Sequence, residues 1–166
     1  MPVYLVNSPT FLSFIFNTGF GLINLAKSIP LKDVNQLNGF LVNNRALQDG
    51  DSDSIILRTK KCSSPELSVT ISWYDPAGAV NCAKCLVNDL DLSIRHGEKK
   101  FYPNGRDDPD RLNNMERIRL TVAAGENVEV VVKAKNLATT SQKYSLIATG
   151  CFDAISENST EGIFPC

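Results

Sequence analysis

The chain has 166 residues, of which 43% are hydrophobic, and its 17 basic and 18 acidic side chains leave a formal net charge of -1. A chain of this length forms one domain that buries enough surface to hold a core without a metal or a disulfide. The balanced charge argues against a general nucleic-acid-binding protein, which would carry a basic excess, and gives no reason to expect an anionic membrane as partner. Composition therefore indicates a soluble globular domain, and function has to come from motifs.

The first 30 residues differ in composition from the rest of the chain and show no period-2 pattern of apolar residues. Their apolar stretch, residues 4–26, is broken by asparagine, glycine and proline. It therefore lacks the run of about 20 apolar residues that a membrane-spanning helix needs. Because no basic residue precedes Lys27 and the apolar block is short, we expect no functional signal peptide. A short helix is expected over residues 21–29, ended by Pro30.

Residues 31–53 are interpreted as a connection, and strand patterns begin at Ser54. Alternating apolar and polar residues, typical of half-buried strands, occupy segments 67–73, 90–94, 118–122, 128–134 and 144–148, with shorter candidates at 54–58 and 99–102. The expected fold is all-β, an antiparallel β-sandwich or jelly roll of about seven to eight strands with a short N-terminal helical or irregular segment. We expect this domain over 54–152, followed by a C-terminal tail over 153–166.

The cysteines are odd in number, so they cannot all pair within one molecule. They are Cys62, Cys82, Cys85, Cys151 and Cys166. Cys82 and Cys85 form a C-x-x-C pair, but a predicted strand follows it, whereas a thioredoxin-like redox pair precedes a helix. A zinc site would need a second such pair, and the single histidine is His96. Disulfides in a secreted or lumenal protein are favoured, and reduced, inert thiols are the alternative. The sequon at Asn158 fits an extracellular loop.

The sequence does not predict a hydrolytic site. A Ser-His-Asp system needs a histidine as general base, and His96 lies in residues 95–98, a predicted turn between two strands. The sequence also has no Gly-x-Ser-x-Gly nucleophile motif. We therefore expect that this chain by itself is not an enzyme.

One group of carboxylates only superficially has the spacing of a calcium loop. Asp49, Asp51 and Asp53 alternate as in an EF-hand, but the sixth position is Ser54 and the twelfth is Lys60. We expect a solvated turn there.

A second group of carboxylates is more informative. Asp89 and Asp91 lie two residues apart on a predicted strand, so both point to one face at a separation of about 7 Å. Residues 107–116 add further carboxylates and amides before the next strand. Calcium prefers such oxygen ligands. The spacing alone leaves two alternatives open, a calcium site and an exposed acidic face beside an Asx-rich turn.

Five segments of the chain carry motifs that occur together in one family. They are 19–25 (GFGLINL), 72–76 (SWYDP), 86–92 (LVNDLDL), 113–118 (NNMERI) and 142–146 (QKYSL). The last four resemble the C-terminal jelly-roll domain of certain subtilisin-like serine proteases, the subtilases, and the first resembles the end of their catalytic domain. The resemblance covers residues 19–149, and the order and rough spacing of the segments agree with the family.

The resemblance implies that the chain is the C-terminal part of a subtilase. Residues 1–30 would end the catalytic domain, and a β-sandwich that supports this domain would follow. The catalytic Asp, His and Ser segments of the family lie upstream, so the activity would belong to the parent protein and the missing catalytic domain would be the partner. The implied location is extracellular or in the endomembrane lumen. The pair Cys82 and Cys85 stands outside the family pattern.

The resemblance also implies calcium as a cofactor of this domain. Carried over by position, the ligands would be Asp89, Asp91, Asn114 and Glu116.

Two further functions remain as alternatives. A stand-alone carbohydrate- or ligand-binding module would use Trp73, Tyr74, Phe101 and Tyr102, although the alternation places Trp73 in the core. A redox or zinc protein would use the C-x-x-C pair.

Overall fold

The protein is described by a computed structural model, in which residues 24–31, 33–62, 65–155 and 163–164 are placed. Strands dominate these residues, as the period-2 pattern predicts. The elements in chain order are α1 Leu25–Ser28, β1 Asn38–Gln48, β2 Ser52–Thr59, β3 Glu66–Trp73, β4 Asn88–His96, β5 Lys99–Phe101, a turn of 3-10 helix Pro103–Gly105, β6 Met115–Thr121, β7 Asn127–Leu137, β8 Ser141–Gly150, β9 Phe152–Ile155 and β10 Ile163–Phe164.

The strands form two five-stranded antiparallel sheets, with the orders β10-β1-β8-β3-β6 and β5-β4-β7-β2-β9. The order β1-β8-β3-β6 in one sheet and β2-β7-β4-β5 in the other is that of a jelly roll. Buried apolar side chains of both sheets form one hydrophobic cluster. The predicted fold class is therefore confirmed.

The alternation places the core as predicted. In β3, the side chains of Leu67, Val69, Ile71 and Trp73 are all buried. The matching positions of β6, β7 and β8 follow the same pattern. The Trp73 indole N–H donates to the carbonyl of Asn88 at 3.0 Å. Trp73 therefore belongs to the core and is not an exposed contact for a carbohydrate.

The structure differs from the connection expected over residues 31–53, because residues 38–48 form β1 and pair with β8. The register shifts between Val42 and Arg45, where Asn44 has a φ of 60°. This bulge breaks the alternation, so the sequence pattern does not reveal the strand. The expected tail over 153–166 contributes to β9 and β10. Residues 1–23, which carry most of the predicted catalytic-domain remnant, lie outside the described residues.

Within the described residues, two disulfides are present, Cys62–Cys151 and Cys82–Cys85. The first joins positions 89 residues apart, and the second lies within the connection between β3 and β4. The disulfide interpretation is confirmed for these four cysteines, and it is compatible with an extracellular or lumenal location. Cys166 and the sequon at Asn158 lie outside the described residues. Within the described ranges, no helix is long and apolar enough to cross a membrane.

Candidate functional site

The predicted ligands Asp89 and Asp91 lie in the first half of β4. This strand pairs with β7, and a β-bulge falls between Asp89 and Leu90. On its other edge, β4 pairs with β5 through Ile94–His96. The edge of the first half of β4 therefore needs another partner for its backbone groups.

Residues 102–114, which connect β5 to β6, are fixed by two polar side chains. The side-chain oxygen of Asn104 accepts the backbone N–H of Arg117 at 3.2 Å, and the side-chain amide of Asn104 donates to the backbone carbonyl of Met115 at 3.3 Å. Asn104 thus bonds to the edge of β6 as a neighbouring strand would. Asp110, which is 1% exposed, accepts hydrogen bonds from Asn104 and Asn113. Burial raises the pKa of Asp110, but these bonds and two from backbone N–H groups bring it below its ordinary value.

Glu116 projects from β6 into the interior, where it is fully buried. Its Oε2 atom accepts the N–H of Leu92 at 2.6 Å, which satisfies one donor on the edge of β4. The pKa of Glu116 is raised to about 9, mainly by burial; the carboxyl groups of Asp110, Asp91 and Asp89 contribute to this rise, and the bond from Leu92 opposes it. Without a bound cation, Glu116 is therefore a neutral acid at physiological pH.

Replacing Glu116 by glutamine is expected to remove a pH-dependent loss of stability in calcium-free buffer. The carboxyl of the unfolded chain ionises near its ordinary pKa of 4.5, whereas the folded protein keeps the proton up to a pKa of about 9. The contribution of Glu116 to the free energy of unfolding is therefore greatest below pH 4.5. It falls by about 1 kcal/mol per pH unit as the pH rises towards about 9. Glutamine stays neutral and still accepts the N–H of Leu92.

Urea unfolding with a chelator present, followed at several pH values from about 5 to 8, measures this effect. The free energy of unfolding of E116Q relative to wild type should rise steadily over this range. The control is E98Q, the same replacement at an exposed position. A difference between E116Q and wild type that does not change with pH would contradict a raised pKa for Glu116.

Arg111 bridges the two aspartates of β4. Its Nη1 atom lies 2.8 Å from Asp89 Oδ2 and 3.5 Å from Asp91 Oδ1, and Lys84 Nζ lies 3.6 Å from the same Asp89 oxygen. Asp89 is 3% exposed, so these cations compensate a buried charge. Burial raises the pKa of Asp91, Arg111 lowers it and Asp89 raises it, with the net result above its ordinary value. We refer to Asp89, Asp91 and Glu116 as the acidic cluster.

Each member of the acidic cluster has a buried oxygen that makes no hydrogen bond within the described part of the chain. These atoms are Asp89 Oδ1, Asp91 Oδ1 and Glu116 Oε1. Asp91 Oδ1 still lies within ion-pair distance of Arg111. Asp89 Oδ1 and Glu116 Oε1 have no such contact with a described residue, and leaving a buried polar atom without a partner costs about 1–3 kcal/mol. Carboxylate oxygens are the ligands that calcium prefers, so the donor set fits this ion. In the described residues, however, no three His, Cys, Asp or Glu side chains are grouped so that they hold a metal ion as they stand.

The fourth predicted ligand, Asn114, has a contact of another kind. Its side-chain amide donates to the carbonyl of Trp73 at 3.1 Å, and its backbone carbonyl accepts the N–H of Trp73. The structure thus brings three of the four predicted side chains into mutual electrostatic contact and attaches the fourth to the end of β3. Sequence reasoning missed Arg111 and Lys84. Arg111 is the single basic residue among the acidic and amide residues of 107–116, and this isolated positive charge could have indicated a partner of the aspartates.

The other singled-out residues lie apart from the acidic cluster. His96 pairs with Glu126 at the far end of β4. Asp53 pairs with Arg45 and accepts the hydroxyl of Tyr144. Among the aromatic residues of the carbohydrate hypothesis, Tyr74 is 93% exposed, whereas Tyr102 lies beneath the Lys100 ammonium.

Comparisons with known proteins give limited similarity. No family model matches the chain. A Dictyostelium discoideum protein named serine protease/ABC transporter B family protein tagA is 26% identical over 149 residues, which cover 80% of this chain. The chain spans only 8% of the length of that protein. At this identity, the similarity points to a protease-related protein and to no particular family.

Proposed function

We propose that the chain is a noncatalytic β-sandwich module of a subtilisin-like serine protease, in which it supports the protease domain in an extracellular or lumenal compartment. The jelly-roll order of the strands supports this proposal. The similarity to a protein named as a serine protease gives independent support.

The observation that carries the proposal is that the motif segments meet in space around Asn88. Its carbonyl accepts the indole N–H of Trp73, and its side-chain amide donates to Gln142 at 2.7 Å. Asp75 accepts the N–H of Asn88 at 2.8 Å, and Glu116 accepts another backbone N–H of the same strand. The joined segments are 72–76, 86–92, 113–118 and 142–146. Residues that are distant in sequence thus form one polar assembly, which gives a physical reason for their occurring together.

The proposal assigns proteolysis to the parent protein. Purified chain should therefore leave casein intact and should not react with a fluorophosphonate probe for active serines. Sequencing the transcript upstream of Met1 should reveal an open reading frame that encodes the catalytic Asp, His and Ser segments. Casein digestion that a serine-reactive inhibitor blocks would overturn the assignment, as would an upstream frame with no protease segment.

We further propose that this module binds calcium through the acidic cluster, with Asn114 as the fourth predicted ligand. The buried oxygens of Asp89, Asp91 and Glu116 that make no hydrogen bond support this proposal. Calcium would supply positive charge to these buried carboxylates. The protein residues supply the ligands, and the bonds of Asp110 to Asn104 and Asn113 fix the connection beside them.

Calcium is expected to raise the melting temperature of the wild-type chain. A hundredfold excess of ligand over its Kd stabilises the folded state by about 2.7 kcal/mol. D91N removes a charged ligand and should lose most of this gain. D108N is the matched control, because Asp108 is exposed and pairs with Arg106 on the surface. Scanning calorimetry with calcium and with a chelator measures the shifts. Equal shifts for D91N and D108N would refute the ligand assignment.

A further inference from the structure

Arg111 already neutralises the site to which we assign calcium. Its guanidinium extends from the connection between β5 and β6 to Asp89 at 2.8 Å and Asp91 at 3.5 Å. The Arg111 side chain is 37% exposed, whereas those of the two aspartates are 4% and 14% exposed. A partly exposed cation therefore covers two carboxylates that are shielded from water.

The guanidinium satisfies this site incompletely. Asp89 Oδ1 and Glu116 Oε1 are buried and make no hydrogen bond to any described residue. A guanidinium donates only along the fixed directions of its planar group, and here it makes no hydrogen bond to either of these two oxygens. A calcium ion takes six to eight oxygen ligands in a flexible arrangement. The oxygens without partners are therefore better suited to a spherical divalent cation than to Arg111.

The two cations would compete for the negative charge of these carboxylates. A guanidinium and a divalent ion within about 4 Å of each other repel strongly, above all where the surroundings are shielded from water. The side chains of the described residues are also not grouped to hold an ion as they stand. We therefore expect calcium to bind most tightly when Arg111 moves away and the carboxylates reorient.

We propose that Arg111 competes with calcium for Asp89 and Asp91, so that calcium binding releases Arg111 and loosens the attachment of residues 106–112 to β4. This inference rests on the calcium site proposed above. Arg111 then stabilises the calcium-free module, and calcium replaces it when the ion is abundant. The position of residues 106–112 relative to β4 would thus depend on the calcium concentration.

Titration calorimetry of the full chain with calcium chloride tests the competition in wild type, R111Q and R106Q. Arg106 is the matched control because it lies in the same connection and pairs with the exposed Asp108 at 3.2 Å. We expect the apparent Kd for calcium to fall by about fivefold in R111Q, the factor that corresponds to losing one ion pair of about 1 kcal/mol. R106Q should bind as wild type does. In a chelator, R111Q should melt at a lower temperature than R106Q.

The outcomes separate the competition from the calcium site itself. Binding by R111Q that is equal to or weaker than that of wild type would overturn the competition and leave the calcium site standing. Binding by R111Q alone would support the competition. Absence of binding in both proteins would overturn the calcium site and, with it, this inference. If R111Q unfolds without calcium, the recovery of the buried Trp73 fluorescence as calcium is added gives its affinity for calcium, and an affinity no higher than that of wild type contradicts the competition.

Discussion

Replacing both Cys62 and Cys151 by serine is expected to lower the free energy of unfolding by about 4.6 kcal/mol, the size predicted from the chain entropy of the large loop that this disulfide closes. The two cysteines are 89 residues apart in sequence. The disulfide joins the connection after β2 to the turn before β9, next to the bond in which the N–H of Lys60 donates to the carbonyl of Cys151 at 2.8 Å. Without it, the unfolded chain gains many conformations while the strand pairing of the folded state is retained.

The matched control is the double replacement of Cys82 and Cys85, which are three positions apart. Because this loop is short, its removal should cost only about 1–2 kcal/mol on the same entropy relation. Guanidinium unfolding of both double variants and wild type gives the comparison. Equal losses in the two variants would contradict the loop-length argument, and no loss in the first would show that the Cys62–Cys151 disulfide does not stabilise the fold.

Replacing Asn88 by alanine is expected to lower the free energy of unfolding by about 3 kcal/mol, because several buried or half-buried groups lose their hydrogen-bond partner together. Asn88 is fully buried. Its amide donates to the hydroxyl of Thr139 at 2.8 Å and to Gln142 at 2.7 Å. Its side-chain oxygen accepts the N–H groups of Ala138 and Thr139. Asn88 therefore connects β4 to the turn between β7 and β8.

Urea unfolding of N88A measures this loss, with N127A as the control. Asn127 lies in β7 and is exposed, so its replacement should change stability by less than about 0.5 kcal/mol. In N88A the side-chain oxygen of Gln142 loses the amide group that donates to it. The backbone carbonyl of residue 88 accepts the indole N–H of Trp73, so a shift of this strand should also change the near-ultraviolet signal of Trp73. A free energy of unfolding for N88A within error of that for N127A would refute the role assigned to this assembly.

The strands were predictable wherever their signal was local. In β3, β6, β7 and β8, alternate residues face the core, and this period of two can be read from a few consecutive residues. The strand β1 was not predictable, because the bulge between Val42 and Arg45 shifts its alternation and its identity depends on pairing with β8, about 100 residues later. The disulfide pairing was hidden for the same reason, since the pairing of β2 with β9 brings Cys62 near Cys151.

In the candidate site, too, the features that depend on neighbouring residues were predictable, and the contacts between residues distant in sequence were not. The sequence by itself determined that Asp89 and Asp91 share one face of a strand and that the next connection is rich in carboxylates and amides, because both properties depend on neighbouring residues. Only the tertiary structure decided that Glu116 crosses from one sheet to bond with the other and that Arg111 folds back onto both aspartates. These contacts depend on how the two sheets and the connection between β5 and β6 pack together. The spacing of residues in the sequence does not show which side chains this packing brings within bonding distance.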